Sequence, residues 1–394
     1  MRRCCFLLTA LPALAACAGS GDAPAAETFR VDTVAGVVRA VNVGAAPPWT
    51  LAPERVIGSL GGQGDDPAPD EFGTIRWLAL DRTGNVYVAD DALRQIQVFN
   101  SAGAHVRALG GQGGGPGEFR SVPAMAFLGD TLVVMDPGNG RLSLLDRRGV
   151  QLGQWPMLRM TGTADWFHDL GGGIVAMMSL VPSGAERALG YILMTSAGPF
   201  DTIVPPPAPE RAVVTGLECD SHDGSIHFWT DPLAPRRLAV PAPGGLMATA
   251  WSDAYRIAFL DTAGDTMRTV SRPDRPTAVP DSMRTRLDAE YDDWRGELPM
   301  GTSCDPAGRG DYEILPPLEH IAFDERGRMW VETLGGQGRG WDVFSPEGRL
   351  LGSAPAAARH ERVRPAIRDN RVAVVEEAPA GHHRVVVYRL RAGR

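Results

Sequence analysis

A glycine-rich element occurs twice in the chain, as Gly61-Gly-Gln-Gly-Asp-Asp-Pro-Ala-Pro-Asp-Glu-Phe72 and as Gly110-Gly-Gln-Gly-Gly-Gly-Pro-Gly-Glu-Phe119. Each copy follows a short apolar run ending in Leu and precedes an apolar segment, a tight turn and a second apolar segment. Two copies define a period, and a period limits the folds open to 394 residues before any other feature does. Gly335-Gly-Gln-Gly338 falls between two strands inside a unit and does not mark a third copy. The 47 Gly and 32 Pro agree with many turns and few helices.

Between the connectors the first unit reads as four strands, residues 75–80, 86–89, 95–99 and 106–109, joined by Asp-x-x-Gly and Asn-Ser-Ala-Gly turns. Glycine supplies the positive φ of a tight hairpin, and Asp or Asn accepts from the turn's backbone amides. A second unit follows over 122–155 and a more divergent third over 166–204. The fourth is read as 216–221 and 225–230, a Pro-rich insertion through Gly245, then 255–261 and 266–271. A fifth runs from 319 to 353, and a last unit has only three strands, 366–368, 371–376 and 384–390. The orphan strand Arg55 to Leu60 supplies the missing fourth. Corresponding strands of the first four units recur about every 42 to 52 residues, the length of a propeller blade. The expected fold is therefore all-β, a six-bladed β-propeller of four-stranded blades over residues 31–394, closed by an N-terminal strand, which leaves no open edge between first and last blades. Residues 29–43 are expected to add one or two edge strands.

A helical insertion is expected within about 274–317. Its helix, near 280–294, has Asp281 or Ser282 as N-cap and Met283, Leu287, Tyr291 and Trp294 on one face.

At the N-terminus, Arg2-Arg3 is a basic start, residues 6–14 are apolar but too short to span a bilayer, and Leu14-Ala-Ala-Cys17 is a small-residue cleavage site. This segment resembles the signal peptide of bacterial lipoproteins. The resemblance implies removal of residues 1–16, lipidation of Cys17, a flexible tether over 17–30 and anchoring in a membrane of the cell envelope. Cys4 and Cys5 leave with the signal peptide, so Cys219 and Cys304 remain. They form either two separate thiols or a disulfide closing a loop of about 85 residues, worth roughly 4 kcal/mol by chain entropy. A formal net charge of −8 offers no basic face for nucleic acid. Arginine-rich spots such as 359–364 read as solvated surface.

Asn85-Val-Tyr-Val-Ala-Asp-Asp-Ala-Leu-Arg-Gln-Ile-Gln-Val-Phe99 and Val133-Val-Met-Asp-Pro-Gly-Asn-Gly-Arg141 resemble the NHL repeat. With the Pro-Gly-Glu-Phe connector they resemble the six-bladed propeller lipoproteins that bacteria export. Asp90 or Asp91 with Arg94, and Asp136 with Arg141, are expected to be structural pairs within blades. The glycine-rich connector lacks the Lys-Ser/Thr and following helix of a phosphate loop, so it reads as a connector.

A propeller takes ligands at the mouth of its channel. Residues read as channel or ligand candidates are Arg76, Glu118, Glu218, Glu319 and His320, with Glu71, Trp294, His168 and His222 nearby. No catalytic constellation is visible. The favoured function is a monomeric binding module for a protein, peptide or glycan, without a cofactor. The alternative, implied by resemblance to NHL-like lyases and lactonases, is an enzyme holding one divalent metal, Ca or Zn, for which Glu218, Glu319 and His320 are weak ligand candidates.

Overall fold

The computed structural model describes residues 28–59, 68–157, 167–170, 172–183, 186–205, 216–222, 225–273, 276–305, 310–335, 338–360 and 363–393. The expected signal peptide, Cys17, most of the expected tether and the centre of the first glycine-rich connector lie outside the described residues.

The chain is all-β with one α-helix among the described residues. The first sheet is Ile75–Leu80, Val86–Asp90, Gln95–Phe99 and His105–Gly110, and the second is Met125–Leu128, Thr131–Asp136, Arg141–Leu145 and Gln151–Pro156. The third is Phe167–Asp169, Val175–Ser183, Glu186–Thr195 and Gly198–Ile203. All three are four-stranded antiparallel meanders in chain order, the sheet that a propeller repeats. A fifth sheet, Leu318–Phe323, Met329–Gly335, Gly338–Phe344 and Leu350–Pro355, repeats the plan.

The fourth sheet corrects the sequence reading. Its strands are Arg237–Ala242, Leu246–Trp251, Arg256–Leu260 and Thr266–Ser271, so the segment read as a Pro-rich insertion holds its first strand and the unassigned stretch after Gly245 its second. Pro241 is tolerated because Arg237–Ala242 is an edge strand, and Pro243-Gly244-Gly245 is a hairpin turn with φ of 81° and 74° at its glycines. Val37–Val43 joins the opposite edge in parallel with Thr266–Ser271, and Thr28–Val34 pairs outside it.

The hairpin Gly216–Asp220 and Ile226–Thr230, read as the start of the fourth unit, instead forms a side sheet with Ser303–Asp305. A disulfide joins Cys219 to Cys304, which face each other in that pairing with Cα atoms 4.0 Å apart. The helix, Asp281–Glu297, belongs to this side structure. Its buried Leu287 packs with Leu233, Val279 and Leu315, while Tyr291 and Trp294 stack against Trp229. Pro280, not Asp281 or Ser282, is the N-cap; it makes no side-chain cap, and Asp281 places an acid in the first turn, where the helix dipole favours it.

The sixth sheet joins the chain ends. Ala366–Arg368, Arg371–Glu377 and His383–Ala392 are completed by Trp49–Ile57, antiparallel to His383–Ala392 from Val385↔Ile57 to Ala392↔Trp49. Adjacent sheets bury apolar clusters between them. Ile96 and Leu109 of the first sheet meet Met125 and Leu132 of the second, and Trp330 and Trp341 of the fifth meet Val372 and Val386 of the sixth. Ala373 and Val385 of the sixth sheet, with Ile57, share a cluster with Leu78 and Val88 of the first.

Candidate functional site

The first strands of five sheets converge on one cavity of about 120 Å³. Its apolar wall includes Trp77, Phe127, Phe167 and Phe323, and its polar side chains are His168, Asp169, His320, Arg364 and Arg368. His168 and Asp169 sit on the first strand of the third sheet, His320 on that of the fifth, and Arg364 and Arg368 flank Ala366 of the sixth.

Arg364 Nη1 donates to His320 Nε2 at 2.7 Å. Guanidinium has only donors, so Nε2 is the acceptor and the neutral imidazole carries its hydrogen on Nδ1. That Nδ1 is buried without a hydrogen-bond partner, as is Nε2 of His168. Burial pulls the pKa of His320 down to about 4, with Glu332 opposing and Arg359 and Arg236 adding to the shift. Burial, then the neighbouring His320, pulls His168 to about 3. Both rings are therefore neutral at pH 7. Burial also lowers Arg364 to about 10, which leaves it a cation. The His168 ring packs edge-on to Tyr191 at 5.4 Å.

The two lowered values carry a sign. An unfolded histidine titrates near 6.5, so between that value and the folded value the unfolded chain binds more protons and stability is lost as the pH is lowered. His168 alone is expected to remove about 2–3 kcal/mol between pH 7 and pH 4.5. Urea unfolding midpoints at the two pH values check this: the loss shrinks in His168→Gln, and an unchanged loss in that variant refutes the assignment.

The sequence candidates are dispersed. His320 reaches the cavity; Arg76 is half exposed and lies 3.9 Å from Asp91. Glu118 is used inside its own connector, where Oε2 accepts from Gly115 N–H at 2.8 Å, and a Cβ on Gly113 would stand 2.0 Å from that oxygen. Glu319 lies between Arg339 at 3.4 Å and Arg236 at 3.8 Å. Glu218 is on the central strand of the side sheet, and Trp294 is packed there. His222 lies exposed against Gly301, and the Glu71 N–H closes a turn on the Ala68 carbonyl. Asp136 and Arg141, 3.5 Å apart, hold the second connector: Asp136 accepts from the amides of Arg120 and Ser121, and Arg141 donates to the carbonyls of Gly115 and Glu118.

Arg359 and Arg364 are not the solvated surface that the composition of 359–364 suggests. Arg359 is 12% exposed and pairs with buried Glu332 at 2.9 Å, and Arg364 enters the cavity. The usable signal was position, since Arg364 directly precedes the first strand of a sheet and Arg368 ends it.

Among the described residues no group of three or more His, Cys, Asp or Glu side chains is placed to hold a metal ion. The ligand set does not fit one: Glu319 is drawn to two arginines, Glu218 belongs to another sheet, and Arg364 occupies His320 Nε2 with positive charge.

No family model matches the chain, and no curated protein does. Solved structures with overall likeness include a Bacteroides fragilis protein named for its expected export, 11% identical, with 88% of this chain and 99% of that one covered at a TM-score of 0.44. A member of the DUF4221 family from Bacteroides vulgatus is 9% identical, covering 87% and 98%, at 0.42. Virginiamycin B lyase from Staphylococcus aureus is 10% identical, covering 80% and 94%, at 0.38. At such scores the likeness carries no argument about chemistry.

Proposed function

We propose that this chain is an exported, lipid-anchored β-propeller of six blades that binds a protein, peptide or glycan at the mouth of its central channel without transforming it. The six-bladed ring is supported by the pairing of Trp49–Ile57 with the last three strands and by the apolar cluster shared between sixth and first sheets. Cys17 is the proposed anchor, and Cys17→Ala is expected to move the protein from the membrane fraction to the soluble one; retention on the membrane rejects the anchor.

One observation carries binding over catalysis. Among the described residues the cavity lining contains no Ser, Thr, Cys, Tyr or Lys and a single carboxylate, Asp169, and Arg364 already occupies the Nε2 that His320 would use as a base. What the cavity offers is donors and an apolar wall, the composition of a recognition pocket.

Peptide and glycan arrays probed with the purified protein test the reading, alongside Ala126→Trp, which fills the cavity from its wall. Wild type is expected to retain an array component chemically intact, and the variant to lose it at least tenfold. Conversion of that component, or equal retention by Ala126→Trp, overturns the proposal. Stoichiometric Ca or Zn in the purified protein would restore the metal-enzyme alternative.

A further inference from the structure

The ligand's charge is written in what the cavity leaves unsatisfied. Three polar atoms of its lining, His168 Nε2, His320 Nδ1 and Arg368 Nε, are buried without a hydrogen-bond partner. Buried polar groups without partners are rare, and several in one cavity ask for an explanation. His168 is 9% exposed and the Arg368 side chain 13%. Arg368 is only loosely engaged: its Nη1 stands 3.4 Å from the Leu80 carbonyl and 3.9 Å from Asp169 Oδ2, both long for a hydrogen bond. His320 Nδ1 is a donor because Arg364 holds the other nitrogen. The lining carries two guanidiniums against one carboxylate, Asp169.

We infer that the cavity seats a compact oxyanion, a carboxylate or phosphoryl group at the end of the bound ligand. After a side-chain shift that opens these buried atoms to the cavity, Arg368 would present its Nε–H edge to one oxygen and His320 its Nδ1–H to another, inside a wall of Trp77, Phe127 and Phe167 that keeps the local dielectric low and strengthens each charge-assisted bond. Volume agrees with this. About 120 Å³ is some four waters at roughly 30 Å³ each, room for a group of four or five heavy atoms. The remainder of the ligand stays outside, at the mouth. This inference rests on the binding reading above and adds the chemistry of the anchoring group.

The test titrates the purified exported protein, with ¹⁵N-labelled histidine, with sodium acetate, sodium phosphate and sodium chloride at matched ionic strength, following the imidazole resonances of His168 and His320. Acetate or phosphate is expected to produce a saturable shift that chloride does not. Whichever binds at least fivefold tighter identifies the group as carboxylate or phosphoryl. Arg368→Gln is expected to weaken the response at least tenfold, and wild type alone already gives an answer should that variant fail to fold. No shift, or the same unsaturable drift with all three salts, overturns the inference. Array binding that Arg368→Gln leaves intact also overturns it while the binding-module reading stands. An anion response that persists when no array component binds sinks the module reading and leaves the oxyanion site in place.

Discussion

Asp324→Ala is expected to destabilise the protein by about 3–5 kcal/mol, far more than the same substitution at the Asp-x-x-Gly turns of Asp146 and Asp261. The chain uses one turn repeatedly. Asp81, Asp146, Asp261 and Asp324 each accept from the backbone amides two and four residues on. At Asp146 and Asp261 the carboxylate does little more, and it is partly solvated, so removing it exposes two amides to water at a cost of about 1 kcal/mol. Asp324 is fully buried and has two additional donors. Its Oδ2 accepts from Arg328 Nε at 2.7 Å and from the indole Nε1 of Trp330 at 2.9 Å. Trp330 is itself buried at the junction of fifth and sixth sheets, so its orphaned N–H has no water to turn to. Alanine would leave the Arg328 Nε–H and the buried indole N–H without an acceptor together, though Arg328 Nη1 keeps its bond to Asn370. Asp324→Asn, which keeps an acceptor for the amides but loses the ion pair, should fall between the two. Denaturant unfolding of the three variants decides the matter; equal losses at Asp146 and Asp324 would mean that the turn alone sets the cost.

That contrast shows where the sequence is legible. The Asp-x-x-Gly turns can be read because every bond in them is local, spanning four residues. The sixth sheet can be read because three strands at one end and an orphan at the other leave one economical pairing. The fourth sheet could not: the hairpin of residues 216–230 has the same local pattern as the start of a unit, and only its disulfide to Cys304 shows that it belongs to the side structure. The cavity was the least legible part. Whether Arg364 faces water or the interior depends on how five first strands assemble, and its place directly before a first strand is the one local sign of it. His320 was found because a histidine on a first strand is unusual enough to notice. Arg368 was missed because an arginine at the end of a strand is not. The metal candidates are dispersed for the same reason, since three acceptable ligand types on the right kind of strand need not lie near one another.

Deleting residues 49–57 is expected to abolish soluble folded protein, and two point variants resolve why. This strand pairs with His383–Ala392 from Val385 to Ala392, so its loss exposes a long strand as an open edge, the template on which β proteins aggregate. Ile57 is 3% exposed between the sixth and first sheets, and Ile57→Ala should cost about 2–4 kcal/mol through the cavity it leaves. Glu54 supplies the polar part. Its carboxylate receives Arg389 at 2.7 Å, Arg371 at 2.9 Å and Arg55 at 3.0 Å, drawing the N-terminal strand onto the C-terminal sheet. Partial burial would raise its pKa, yet the hydrogen bonds and charges of Arg389 and Arg371 prevail and lower it to about 2. A carboxyl that titrates near 4.5 when unfolded and near 2 when folded adds stability that is complete above 4.5 and disappears as pH falls toward 2. Solvent screening at this partly open site reduces the gain to roughly 1–2 kcal/mol. Glu54→Gln should therefore lower the unfolding free energy by that amount at pH 7 and converge on wild type as the pH approaches 2. A constant difference across that range would show that Glu54 acts through packing alone. A deletion variant that stayed soluble with an unchanged melting temperature would remove the strand from the architecture, and with it the reason for six blades.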